Sequence, residues 1–196
     1  MAKLLLATTN RGKIREYRSL LKDLVLELVT PDELSIKIEV REDFPSYEEN
    51  ARMKANAYAS VSHLPTLADD SGLEVDALGG EPGILSARAA DSDEARIKYL
   101  LSRLKGVPRE KRTAHFKCVI ALAELTGKTE LSYGECAGLI ALEPRGENGF
   151  GYDPVFFLPE LGKTMAELPL GIKNQISHRS KAARAAFPVL QKIARK

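Results

Sequence analysis

No apolar run in this 196-residue chain approaches the length that crosses a membrane. Met1-Ala2-Lys3 leads into a strand-like segment rather than into the regions of a signal peptide. Cysteine is scarce, with only Cys118 and Cys136 present. A secreted domain would usually carry more, and in pairs, so the expectation is a soluble cytoplasmic protein. Low-complexity tracts, long linkers and solenoid repeats are missing. The absence of a G-x-x-x-x-G-K-[ST] loop excludes a P-loop NTPase. Gly146, Gly149 and Gly151 do not precede a helix as a dinucleotide fingerprint would, and His63, His115 and His178 are too scattered for a zinc site. Charge of one sign is also lacking. Twenty-nine Lys and Arg against 27 Asp and Glu leave a net charge of +2, too weak to argue for a nucleic-acid-binding face.

What the chain does have is 44% hydrophobic residues, enough over residues 1–196 to bury a core as one large domain or two small lobes. The continuous apolar run at 3–7 predicts a buried strand. Asn10 then caps a helix with Ile14, Tyr17, Leu21 and Leu24 at helical spacing. Strands are expected within 24–29 and, from its alternation, at 36–40. Ser46-Tyr47-Glu48-Glu49 has capping-box form and opens a helix to about residue 60, on which Asn50 and Lys54 share a face. A short strand at 66–68 should end in an Asp-Asp-Ser-Gly turn, with 74–78 pairing back. Ser92 starts a helix burying Ile97, Leu100, Leu101 and Leu104, which Gly106 and Pro108 stop. Two long strands, about 113–124 and 129–142, form a half-buried hairpin. A glycine-rich loop at 145–154 leads into a strand at 155–157, Thr164 caps a brief helix, and Ser177 caps the last one. Ala183, Ala186, Phe187, Leu190 and Ala194 form its stripe, and Pro188 should kink it.

The chemistry concentrates in Leu67-Ala68-Asp69-Asp70-Ser71-Gly72-Leu73. Two adjacent acids after an apolar strand need neutralising, and a hard cation such as Mg²⁺ would do so. Alternate strand residues face opposite ways, so both acids reach one ion only if the strand has ended. The alternative is a solvated acidic turn. The helix starts add a contrast. Acids follow Ser46 and Ser92, as the helix dipole favours, whereas Arg11 and Lys13 follow Asn10, and His178, Arg179 and Lys181 follow Ser177. Cations at a helix N-terminus suit a phosphate, unless they simply splay into water. Phe150 and Tyr152 either stack on a base or pack the core.

Six motifs lie in register. They are Thr9-Asn10-x-x-Lys13, Tyr47-x-Glu49-Asn50-Ala51-x-x-Lys54-Ala55, Ala68-Asp69-Asp70-Ser71-Gly72-Leu73, Gly79-Gly80-x-Pro82-Gly83-x-x-Ser86-Ala87-Arg88, Gly149-Phe150-Gly151-Tyr152-Asp153-Pro154 and Lys173-x-x-Ile176-Ser177-His178-Arg179. Together they resemble the inosine triphosphate pyrophosphatase family, which cleaves ITP, dITP and XTP to a nucleoside monophosphate and pyrophosphate. The resemblance implies an elongated, two-lobed α/β domain with a central mixed sheet flanked by helices, an active-site cleft between the lobes, and a homodimer. By motif, Thr8, Thr9, Asn10, Arg11, Gly12, Lys13 and Lys54 would hold the phosphates and Lys173 would sit with the nucleotide. Asp70 would be the general base, and Asp69, Asp70 and Glu42 would hold Mg²⁺, with Glu39 the alternative to Glu42. Ser71 would contact the substrate. Phe150, Gly151, Tyr152 and Asp153, with His178 and Arg179, would surround the purine, Arg179 donating to its 6-oxo group.

Two other classes fit parts of the sequence. A nucleotide sensor would keep the pocket without the chemistry, against which Asp69, Asp70, Lys13 and Lys173 all stand. A nucleic-acid binder is suggested only by Arg179, Lys181, Arg184, Lys192, Arg195 and Lys196 on the last helix, a pattern usual for a solvated face. The expected partners are therefore small purine nucleoside triphosphates, with no nucleic acid and no membrane.

Overall fold

Parallel strands need a crossover between them, and the first third of the chain supplies two helices for that purpose. The computed structural model describes residues 1–195. Strand β1 (Ala2–Leu6) is followed by α1 (Arg11–Leu20), β2 (Leu26–Val29), α2 (Tyr47–Ser62) and β3 (Thr66–Val75). Both β2 and β3 run parallel to β1, with Ala2 opposite Leu26 and Leu5 opposite Val29 and Thr66. Next come β4 (Pro82–Gly83), α3 (Asp93–Arg103), β5 (Thr113–Ala123), β6 (Thr129–Ile140), β7 (Phe156–Leu158), β8 (Lys163–Thr164), α4 (Leu170–Ile176) and α5 (His178–Ala194). The strand order is β2-β1-β3-β5-β6-β7-β8, and β4 pairs antiparallel with β3. The pairs β6–β7 and β7–β8 are antiparallel too, so the sheet is mixed, as the resemblance implies.

Two units share these elements. The first holds Met1–Asp70, Cys118–Gly134 and the chain from Arg179 onward. Its core sets Leu4, Leu6, Leu67, Cys118, Ile120 and Leu122 of the strands against Tyr17 and Leu21 of α1 and against α5. The buried stripe of α5 is Ala182, Ala183, Ala186, Val189, Leu190 and Ile193, rotated slightly from the expected one, with Phe187 only half-buried. The second unit holds Ser71–Lys117 and Glu135–His178. There Ile97 and Leu100 of α3, with Leu104 just after it, pack with Leu73, Val75, Ala114, Phe116, Cys136 and Phe156.

Several expectations need correcting. Residues 36–40 keep the alternating burial of a strand but have no strand pairing, so the pattern records one half-buried side only. Strand β3 does not turn at Asp69-Asp70-Ser71-Gly72; it runs straight through to Val75, and 76–78 form a 3-10 turn. Strand β5 is buried on both sides from Cys118 to Ala123, so only its first residues are half-buried. Helix α4 (Leu170–Ile176), which Ser177 caps at its C-terminus, precedes α5 and is not expected from the sequence. The expected starts at Asn10, Ser46 and Ser92 are present. Each side chain accepts the backbone N–H three residues on, as does Thr164 in its capping box.

Candidate functional site

The continuity of β3 decides what its two acids do. In the first unit, Asp69 shares the parity of Leu67 and faces α1 and α5, while Asp70 shares that of Ala68 and faces α2. Asp69 Oδ1 lies 3.0 Å from Lys13 Nζ, and its Oδ2 accepts from Arg179 Nε and Nη2, both at 3.3 Å. Arg179 is 2% exposed and also gives Nη1 to Glu16 Oε2 at 2.6 Å. Burial would raise the Asp69 carboxyl, but Lys13, Arg179 and Lys54 outweigh it and hold the group well below the ordinary aspartate range. Asp69 is thus an ionised, fully enclosed carboxylate. Cys118 points its thiol toward it and is pushed up to about 12, mainly by burial.

Asp70, one residue on, has the opposite environment. Its Oδ2 accepts from Asn50 Nδ2 at 3.1 Å, and burial drives its carboxyl above the ordinary range. Lys13 and Lys54 pull against that shift, while Glu42 adds to it by repulsion. Lys54 Nζ sits 2.5 Å from Glu42 Oε1 and donates to the main-chain carbonyl of Asp69 at 3.1 Å. Despite burial, which works against it, Lys54 is held above its ordinary value by Glu42 and then Asp69. The face that Asn50 and Lys54 share on α2 therefore meets β3, as their spacing predicts. Glu42 is near enough to Asp70 to raise it by repulsion. Asp69 points to the other side, and among the described residues no three His, Cys, Asp or Glu side chains are placed to share a metal ion. Glu39 is exposed.

Thr8, Thr9, Asn10, Arg11, Gly12 and Lys13 run from the end of β1 into α1. Asn10 accepts the Lys13 N–H at 3.0 Å and donates its own N–H to Thr8 Oγ1 at 3.1 Å. No acid lies in the first turn of α1 or α5, whereas Glu48, Glu49, Asp93 and Glu94 occupy those of α2 and α3. The contrast read from the sequence is real.

In the second unit, Ser71 is half-buried on β3, and Phe150, Gly151, Tyr152 and Asp153 form a tight loop. Asp153 Oδ2 accepts the Phe150 N–H at 2.9 Å and pairs with Lys173 Nζ, which lies 5.0 Å from the Phe150 ring centre. A Cβ at Gly149 would lie 2.0 Å from the Asp153 carboxylate, so only glycine allows that approach. Tyr152 is buried and gives its hydroxyl to the Ser86 carbonyl at 3.1 Å. His178 stacks on Phe116 with ring centres 4.7 Å apart.

A profile of the Ham1 family matches residues 4–189. The chain belongs to the Ham1 family. Over 185 residues, 93% of each chain, it is 50% identical to a protein named dITP/XTP pyrophosphatase from Geobacter sulfurreducens. It is 43% identical to one of the same name from Listeria monocytogenes over the whole of both chains. Among solved structures, a HAM1 protein from Coxiella burnetii superposes with a TM-score of 0.87 at 40% identity, covering 98% of this chain and all of that one. The Staphylococcus aureus Ham1 protein gives 0.81 at 41% identity, covering 98% of each.

In this Ham1 chain the Arg179 guanidinium is buried between Glu16 and Asp69 and donates to both carboxylates. That removes it from the basic surface of α5, on which Lys181, Arg184, Lys192 and Arg195 are exposed; Lys196 lies outside the described residues. Glu16 was missed altogether. Its signal is there, since it sits beside Tyr17 on the buried side of α1, three residues from Lys13, where an acid needs a cationic partner.

Proposed function

We propose that this chain hydrolyses non-canonical purine nucleoside triphosphates, ITP, dITP and XTP, to the nucleoside monophosphate and pyrophosphate, keeping deaminated purines out of DNA and RNA. The relatives named dITP/XTP pyrophosphatase at full length support the substrate class. The observation that carries the chemistry is Asp70. It is a largely enclosed carboxyl raised by burial, hydrogen-bonded to one amide and set beside two lysines. A base works best when its affinity for protons lies above that of an ordinary carboxylate.

In this reading Asp70 takes the proton of a water whose oxygen attacks the α phosphorus, the α–β bridging bond breaks, and pyrophosphate leaves. Lys13, Lys54 and the stretch from Thr8 to Gly12 hold the phosphates, where cations and backbone N–H groups suit an anion. Ser71 contacts the substrate. The loop from Phe150 to Asp153 with Lys173, His178 and Arg179 takes the base and sugar, and Arg179 also holds Asp69. Mg²⁺ fits Asp70 and Glu42, because two repelling carboxylates invite a hard cation that completes its shell with water and phosphate. When bound, it neutralises charge on the phosphates. The protein works in the cytoplasm as a homodimer.

Pyrophosphate release across ITP, dITP, XTP, ATP and GTP in oxygen-18 water tests the reading. Faster turnover of ITP, dITP and XTP, with label in the monophosphate, is expected. Label only in pyrophosphate, orthophosphate as first product, or equal rates for ATP would overturn it.

A further inference from the structure

An acid in the first turn of a helix ordinarily needs no explanation beyond the helix dipole. Asp93 opens α3, yet Ser92 already caps that helix by accepting the Ala95 N–H at 3.1 Å. The Asp93 carboxylate is committed elsewhere. Its Oδ2 accepts the backbone N–H of Gly151, 58 residues away, at 2.6 Å, and its Oδ1 is held by Arg96 Nη1 at 2.7 Å. Arg96 is anchored in turn, giving Nε to the Ala90 carbonyl at 2.9 Å. Gly151 has φ +63°, and a Cβ there would meet nothing within 4 Å. Glycine is thus demanded by the backbone conformation rather than by space.

From this geometry we infer that Asp93 is a positioning residue for purine recognition. Through Gly151 it fixes the backbone of the loop from Phe150 to Asp153 in the form that selects the base. Two carboxylates hold consecutive N–H groups of that loop, Asp153 on Phe150 and Asp93 on Gly151. Asp153 belongs to the loop and travels with it. Asp93 ties the loop to a long helix whose apolar side is packed in the core, so it sets where the loop stands. The bond is charge-assisted and short, the kind with the greatest hold on geometry. The inference rests on the reading of residues 150–153 as the base-binding loop.

The test compares Asp93→Ala, Asp93→Asn, Arg96→Met and Phe150→Ala with the wild type, measuring kcat and KM for ITP and ATP by pyrophosphate release, with thermal melting alongside. Asp93→Ala is expected to raise the KM for ITP by about tenfold, as loss of a charge-assisted hydrogen bond allows. Its kcat should change less than about threefold, and the ITP-to-ATP ratio of kcat/KM should narrow. Asp93→Asn keeps an acceptor for Gly151 and should recover most of the loss, and Arg96→Met should give a smaller shift of the same kind. If Asp93→Ala does not fold, Arg96→Met carries the test by the same KM-against-kcat split. The inference is overturned if folded Asp93→Ala keeps the ITP KM and the ITP-to-ATP ratio within about twofold of wild type, or Arg96→Met leaves both unchanged where Asp93→Ala does not fold, while Phe150→Ala raises the KM. It is also overturned if these Asp93 or Arg96 variants lower kcat equally for both substrates at unchanged KM, which marks a merely structural role. An unchanged KM in Phe150→Ala would remove the base-loop reading itself, and the inference with it.

Discussion

The two faces of β3 put chemically identical neighbours into opposite situations. On the face toward α1 and α5, Asp69 is 1% exposed and ringed by Lys13, Arg179 and, behind the guanidinium, Glu16. On the face toward α2, Asp70 is 7% exposed, accepts from the Asn50 amide, feels Lys13 and Lys54, and has Glu42 as a repelling neighbour. One carboxyl is held ionised and the other is made more basic. Compensated charge fixes structure; under-compensated charge is left to act on something that arrives.

The comparison breaks hardest at Asp70. In Asp70→Asn, turnover should fall about 10²–10⁴-fold, the usual contribution of a general base. Its unfolding free energy should stay within about 1 kcal/mol of wild type, because the lost charge was the poorly accommodated one. Steady-state kinetics with urea unfolding checks both.

Asp69→Asn should do the reverse to stability. Arg179 and Lys13 lose their carboxylate, and breaking a buried pair typically costs about 3–5 kcal/mol. The effect should depend on pH with a definite sign. The folded-state pKa of Asp69 is depressed, so its contribution is present above the unfolded value of about 3.9 and disappears as pH falls through the folded value. The gap between wild type and Asp69→Asn should therefore begin to narrow below about pH 4 and go on shrinking as pH falls toward the depressed folded-state value, which urea melts across pH will show.

Glu16→Gln should have the smallest effect, about 1 kcal/mol, since Gln still accepts from Arg179 and Asp69 still balances it. A loss as large as that of Asp69→Asn would mean that Glu16, not Asp69, is the main counter-ion of Arg179.

Much of this was legible in the sequence, because local rules govern local features. Asn10, Ser46 and Ser92 announce helix starts through their own side chains, and Asn50 and Lys54 meet β3 because a four-residue spacing fixes a helix face. The Asp-Asp stretch misled for a physical reason. Asp-Asp-Ser-Gly is good turn chemistry, but pairing with β1 and β4 on either side of it holds the backbone extended. The ion pairs of Arg179 were hidden for another reason: its partners are 110 and 163 residues away, a separation that no spacing rule reaches. The Asp93–Gly151 bond was hidden because an acid at a helix start already has an ordinary explanation.

The account turns on the division of labour between the two acids, and equilibrium binding of Mn²⁺ in place of Mg²⁺, followed by its electron paramagnetic resonance in the presence of pyrophosphate, tests that without relying on turnover. Folded Asp69→Asn should retain the ion with affinity within about threefold of wild type, whereas Asp70→Asn and Glu42→Gln should each weaken it by tenfold or more. Loss of the ion from Asp69→Asn, or its undiminished binding to Asp70→Asn, would contradict the account.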